Sequence, residues 1–330
     1  MTQETSDYYF DDIEICECVG NFDNEYVYDV EMDEDTDEAH TFIANDMLVH
    51  NSCYISFEEV VKGCNWTGDP RLLLSLIYKN RIKGYITKAY ETYASTTGTE
   101  NIQDLEMETI SRTAILLKKK KYCLDLAWKD GEGEGIMYAP QQKIKAVGVE
   151  IVQSSTPLFA RNKLKELLKI IFIEKKNLNL RKLADLLKKE KQAFMLDNIE
   201  NISMSSGITD YEKGVADDRK KLVLNDHCPM HVRAAGYHNL ILNNSKWKNK
   251  YQLIKSGDKA RYYYAKIEGI QGGEENVFAY LPGNYPVEFA PPVDYDTQFA
   301  KCIIDPLNRF IVAIGLPPIS PELVVRTQLF

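Results

Sequence analysis

Lysine and arginine are missing altogether from residues 1–51, which carry 16 Asp plus Glu. Residues 52–330 hold all 40 basic residues and the other 33 acidic ones, so the two segments have formal charges of −16 and +7. So abrupt a change marks a boundary at Asn51 and implies two functions joined end to end. An acidic disordered tail is the simpler account of such a composition. Against it, Glu25-Tyr26-Val27-Tyr28-Asp29-Val30-Glu31-Met32 and Phe42-Ile43 have the β-branched and aromatic character of strands. No apolar run reaches membrane-spanning length and no signal peptide opens the chain, which predicts a soluble, cytoplasmic protein without a membrane partner. The seven cysteines follow no regular spacing, which excludes a disulfide framework and fits a reducing compartment. Cys16 and Cys18 are too close for ordinary zinc geometry, and His227-Cys228-Pro229-Met230-His231 lacks a second ligand pair, so it reads as loop and core. What is present is bulk: 330 residues, 44% of them hydrophobic, suffice for two or more domains with their own cores.

The charge boundary falls in a run with chemistry of its own, His40-Thr41-Phe42-Ile43-Ala44-Asn45-Asp46-Met47-Leu48-Val49-His50-Asn51-Ser52. An Asn side-chain amide can attack its own backbone carbonyl, closing a succinimide and breaking the bond between Asn51 and Ser52. A neighbouring imidazole, here His50, accelerates that step by donating a proton or hydrogen bond to the scissile carbonyl. Ser52 supplies a hydroxyl directly after the break, on which an incoming acyl group can rest as an ester when a base assists. With Asp29 upstream, His40, and the apolar Met47-Leu48-Val49 in register, residues 1–51 resemble the C-terminal part of an intein. The resemblance implies that His40 is a second acid/base group and that Asp29 coordinates the steps. The segment is too short for a whole intein and lacks its opening nucleophile block, so the implied arrangement is a split intein whose other half arrives on a separate polypeptide. Strands are expected around Ile13 to Val19, Tyr26 to Met32, Thr41 to Ala44 and Asp46 to Val49. The charge of −16 predicts a markedly basic partner half, drawn in by a salt-sensitive attraction.

Beyond the junction, apolar residues at helical spacing over residues 70–95, with Tyr78, Tyr85, Tyr90 and Tyr93 recurring, predict a helix with a core face. Glu106-Met107-Glu108-Thr109-Ile110 leads into Lys118-Lys119-Lys120-Lys121-Tyr122 and then a hairpin at Trp128-Lys129-Asp130-Gly131. On a strand, Lys120-x-Tyr122 sets both side chains on one face, a cation for a phosphate or minor-groove acceptor beside a phenol. A solvated basic edge is the ordinary account of four lysines. Leu158 to Glu174 and Asn179 to Phe194 read as two helices with lysine-rich outer faces, a pattern that membrane-surface helices and DNA-gripping helices share.

Taken in order, Ser52-Cys53-Tyr54-Ile55-Ser56, Glu108, Lys119 to Tyr122, Gly148, Ser154-Ser155-Thr156-Pro157, Cys228 to Ala235 and Tyr237-His238-Asn239 resemble the C-terminal palm and thumb of family B DNA polymerases of the T-even-like and cyanophage kind. The resemblance implies primer-template contacts from Lys119, Lys120, Lys121 and Tyr122, with Lys213 and Arg233 as further candidates, and puts Glu108 near the polymerase site. Lys121 stands where the family commonly has Arg, and an ammonium lacks the planar fork of a bidentate contact. Ser52 to Ser56 matches only the stretch beyond the family's metal-binding aspartates. Mg2+ ligands and the fingers lysines are therefore expected mainly on the partner fragment, and this chain alone should not polymerise. The final Leu329-Phe330 is similar to clamp-docking tails, with a frayed terminus as the ordinary alternative.

The expected fold class is α+β. It comprises a β-rich C-terminal intein (Hint) fragment at 1–51, part of a palm sheet with helices at 52–153, a mainly helical thumb at 154–320 and a clamp-binding tail at 321–330. The expected function is that of a trans-splicing precursor in a phage-infected bacterial cell. It joins an N-terminal polymerase fragment carrying the other intein half, then works with primer-template DNA, dNTP and a sliding clamp; splicing itself needs no cofactor. Two other classes stay open: an unspliced DNA-binding subunit that associates noncovalently with that fragment, and a clamp-docking DNA-binding protein without polymerase function.

Overall fold

The computed structural model describes residues 27–31, 41–44, 47–50, 52–53, 63, 66–102, 106–118, 120–131, 135–216, 222–225, 227–266 and 276–325. Helices and antiparallel strands are mixed among them, compatible with the α+β class. The chain divides into two compact units, Met1–Val147 with Ala313–Gly315 and Gly148–Val312 with Leu316–Phe330.

In the first unit, β1 (Val27–Glu31), β2 (Thr41–Ala44), β3 (Met47–His50) and β4 (Ser52–Cys53) precede the helices. The strands expected at Tyr26 to Met32, Thr41 to Ala44 and Asp46 to Val49 lie within a residue of β1, β2 and β3; Ile13 to Val19 lies outside the described residues. β2 and β3 form their own hairpin, with Thr41 opposite His50. Helix α1 (Pro70–Ile77) starts where Asp69 accepts a hydrogen bond from Arg71 N at 2.9 Å and Pro70 supplies a preset φ. The Arg71 side chain holds the Asp69 carboxyl below its usual range. A π turn, Tyr78–Ile82, leads into α2 (Lys83–Thr97), which ends at Gly98 with a left-handed φ of 68°. That π turn corrects the expectation of one tyrosine face. An extra residue in the turn shifts the helical phase, so Tyr78 and Tyr90 are buried while Tyr85 and Tyr93 are exposed.

The sheet of this unit is built on β5 (Glu106–Lys118) and β6 (Lys121–Lys129). Burial is almost continuous from Tyr122 to Trp128, the pattern of a strand covered on both faces rather than of one with a wet side. β7 (Ile136–Met137) and β8 (Ile144–Val147) both pair with β6, while β1 lies along β5 and β4 outside β1. Part of the cation-free segment thus shares a sheet with the lysine-bearing hairpin. The reversal between β5 and β6 overturns one expectation: Lys118 pairs with Lys121, and Lys120 has a φ of 59°, so it sits in the turn and not on a strand with Tyr122. A tight reversal demands a positive φ, and Lys120 adopts it directly before β6.

The second unit begins with α3 (Leu158–Glu174) and α4 (Leu180–Leu196), within two residues of the expected helices. Asn179 caps α4, accepting from Arg181 N and Lys182 N at 3.1 Å. Leu164, Leu167, Leu168 and Ile171 on α3, and Leu183, Leu187 and Phe194 on α4, form apolar stripes at helical spacing and are buried. Two contacts set the direction of the pair: Phe159 meets Phe194 edge-on at 5.2 Å, and Lys163 bridges Glu190 at 3.0 Å. Four steps forward on α3 match four back on α4, so the helices run antiparallel. Phe194, with no exposed surface, also meets Phe299 at 5.3 Å. Phe194→Ala is expected to lower unfolding free energy by about 3–5 kcal/mol in denaturant titrations, whereas Leu196→Ala, 89% exposed on the same helix, should change it little.

After α5 (Ile199–Ile202), β9 (Met204–Gly207), α6 (Tyr211–Gly214) and the small pair β10 (Val215–Ala216) and β11 (Val223–Leu224) comes α7 (Met230–Asn243). It packs on a three-stranded antiparallel sheet ordered β13 (Val277–Tyr280), β12 (Lys259–Tyr264), β9. The aromatic runs Tyr262 to Tyr264 and Val277 to Tyr280 lie in β12 and β13, and Tyr263, Phe278 and Tyr280 fill the core. α8 (Tyr295–Phe299), a π turn, α9 (Asp305–Ala313) and α10 (Pro321–Val325) complete the unit. No helix among the described residues is long and apolar enough to cross a membrane.

Candidate nucleic-acid interface and splice junction

Residues 158–196 hold 11 Lys and Arg against four Asp and Glu, so this helix pair alone has the +7 excess of everything after residue 51. The apolar stripes point inward, which leaves the cations on the outer faces. Lys165 and Lys169 on α3, and Arg181, Lys182 and Lys189 on α4, are exposed and meet no carboxylate among the described residues. Spacings of four (165, 169) and seven (182, 189) align them along each helix. Three others are engaged with carboxylates: Lys163 with Glu166 and Glu190, Lys188 with Asp185, and buried Lys191 with Asp296. Burial disfavours the Lys163 ammonium, but the two glutamates outweigh it and raise its pKa. The apolar periodicity makes the lysine-rich faces legible in sequence; which lysines are tied up by carboxylates is not.

The thumb-like motif after Cys228 resolves into mostly structural roles. Asn239 donates to Ile254 O at 2.8 Å and accepts from Ile254 N at 2.8 Å, clamping a distant loop to α7. His238 lies 2.9 Å from Ala279 O and 3.0 Å from Gln252 O, and burial pushes its pKa down. Arg233 is half-buried with its Nε lacking a hydrogen-bond partner among the described residues. Burial raises the Cys228 thiol pKa while the Arg233 charge opposes that rise. Lys213 is exposed and pairs with Asp210 at 2.8 Å, which raises its pKa. Next to Lys213, α6 abuts α7 at Gly214: a Cβ there would come within 2.9 Å of Val232 Cγ1 and 3.1 Å of Cys228 Sγ. A larger residue at 214 would push Val232 or the Cys228 side chain aside.

In the first unit, Glu108 is the extra residue of a β-bulge, since Asp29 pairs with Thr109 and Val30 with Met107. Its carboxylate accepts from Lys145 Nζ at 2.7 Å. Lys120 lies exposed in the turn, Lys121 is half-buried at the start of β6, and Tyr122 is 7% exposed, packed with Ala114, Leu124 and Leu126. Lys119 lies outside the described residues. Among the described residues no group of three or more His, Cys, Asp or Glu could hold a metal ion.

At the junction, His50 closes β3 and Ser52 opens β4, where it pairs with Glu31 of β1. Asp29 lies on β1, two residues from that pairing. His40, Asn51, Leu329 and Phe330 lie outside the described residues. Compared with known proteins, the chain matches no protein-family model and no curated protein.

Proposed function

We propose that the chain is the precursor of the C-terminal palm and thumb of a phage replicative DNA polymerase, delivered by protein trans-splicing. An N-terminal fragment transfers its acyl group to Ser52, Asn51 cyclises with help from His50, and an acyl shift to the freed amine of Ser52 leaves a normal peptide bond. The joined enzyme grips primer-template DNA through the outer faces of α3 and α4. What supports this most is the adjoining of a cation-free segment ending in His50-Asn51-Ser52 with a chain that concentrates its charge on one helix pair. The described residues do not fit a two-metal site: Glu108 is a single carboxylate and Lys145 already engages it. Polymerisation therefore waits on the partner fragment.

Co-expression with the upstream fragment followed by intact-mass measurement tests the reading. The expected result is one fused product that lacks residues 1–51; two chains of unchanged mass would sink it. A specific observation favours the alternative of an unspliced, noncovalent DNA-binding subunit. β1 lies on the edge of β5, so excision would strip a paired strand from the sheet and expose its backbone. The same masses decide between the two.

A further inference from the structure

Directly after α7 comes Lys246-Trp247-Lys248-Asn249-Lys250, an aromatic residue between cations. The turn is firmly held. Ser245 N donates to Leu242 O at 3.0 Å, Trp247 N donates to Ser245 Oγ at 3.1 Å, and Lys250 N donates to Trp247 O at 2.9 Å. Tyr251, 7% exposed, meets Phe289 edge-on at 5.3 Å and ties the turn to the core. Trp247 stays partly open, with Lys246 Nζ 5.0 Å and Lys250 Nζ 5.6 Å from its ring centroid. Lys250 is committed to Glu288, whose carboxyl it and the Tyr251 hydroxyl hold down at about 2. Lys246 and Lys248 are exposed and meet no carboxylate among the described residues.

We propose that this turn is a second nucleic-acid contact that takes single strands, with a base stacked on Trp247 and the adjoining phosphates on Lys246 and Lys248. It rests on the DNA-binding reading of the chain and adds residues that neither α3 nor α4 supplies. Base stacking on an aromatic is the stronger interaction of the two, since a cation over an exposed ring remains largely hydrated. A base therefore displaces the ammonium from the indole and frees it for phosphate. A duplex keeps its bases within its own stack, out of reach of the ring. A lipid surface requires a broad apolar face, whereas the immediate neighbours of this indole are ammonium groups.

The test uses the full chain with a fluorescein-labelled oligothymidylate, a labelled duplex of similar length, and anionic phospholipid vesicles. Trp247→Ala is expected to weaken oligothymidylate binding about 5- to 150-fold, with duplex affinity within about twofold of the unmodified chain. Trp247→Phe, which keeps a stacking face, should recover most of the loss. The double change Lys246→Gln with Lys248→Gln should flatten the salt dependence for the single strand by about 1.4 in log–log slope. Thermal melts by circular dichroism establish that each variant folds. Unchanged oligothymidylate binding by Trp247→Ala overturns the inference, as do equal losses on both oligonucleotides or a loss confined to vesicles. If the unmodified chain binds duplex through α3 and α4 while Trp247→Ala is silent, this inference falls alone. If it binds neither oligonucleotide, the DNA-binding reading falls with it.

Discussion

Asn51→Ala is expected to abolish the joined product completely when the chain meets its N-terminal fragment. Alanine has no amide to attack the backbone carbonyl, so the bond between residues 51 and 52 cannot be broken by cyclisation. No neighbouring residue replaces this step, because the succinimide ring requires the side chain of the very residue whose carbonyl is attacked. Acyl transfer onto the Ser52 hydroxyl is chemically separate and should persist, leaving a branched ester. Intact-mass measurement then finds a species carrying both chains, which hydroxylamine cleaves, in place of a fused chain without residues 1–51. A linear, hydroxylamine-stable product from Asn51→Ala would refute the assignment of Asn51. Unaltered polymerase activity with the two chains still separate would establish the noncovalent reading instead.

The second large effect concerns charge. Changing Lys165, Lys169, Lys182 and Lys189 together to Gln is expected to weaken duplex DNA binding about 10²- to 10³-fold near 0.1 M salt, and to reduce the log–log salt slope by up to about 3.6. Each cation that meets a phosphate releases condensed counterions, so removing it costs most at low salt. All four side chains are exposed and opposite the buried stripes, so the fold should be nearly indifferent to the change. The precursor adds a complication with a definite sign: its first 51 residues carry −16 and oppose DNA at long range. Affinities of the parent and the variant are therefore compared in the same precursor by fluorescence anisotropy across a salt series. A slope that does not move would remove α3 and α4 from the interface.

Much of this architecture is legible along the chain. The boundaries of α3 and α4 follow from apolar periodicity and the Asn179 cap, and β12 and β13 from their aromatic runs, because local propensity and burial pattern agree there. Tyr85 and Tyr93 are misread because a π turn carries no signature in composition, only in phase. Lys120 is misplaced because a strand and a tight reversal with the same flanking apolar residues differ only in one backbone dihedral.

Composition and residue order alone dictated the charge boundary at Asn51, the chemistry available to His50-Asn51-Ser52, the helical hairpin and its lysine-rich faces, since each depends on neighbours a few residues apart. Long-range packing settled which lysines are spent on Glu190 and Asp296, that Gly214 of α6 meets Val232 of α7, that Asn239 serves a loop backbone, and that β1 lies on β5. The reason is that an ion pair, a close approach or a strand pairing joins residues far apart in the chain. Its energy belongs to the contact made in space, so neither partner's local sequence carries it.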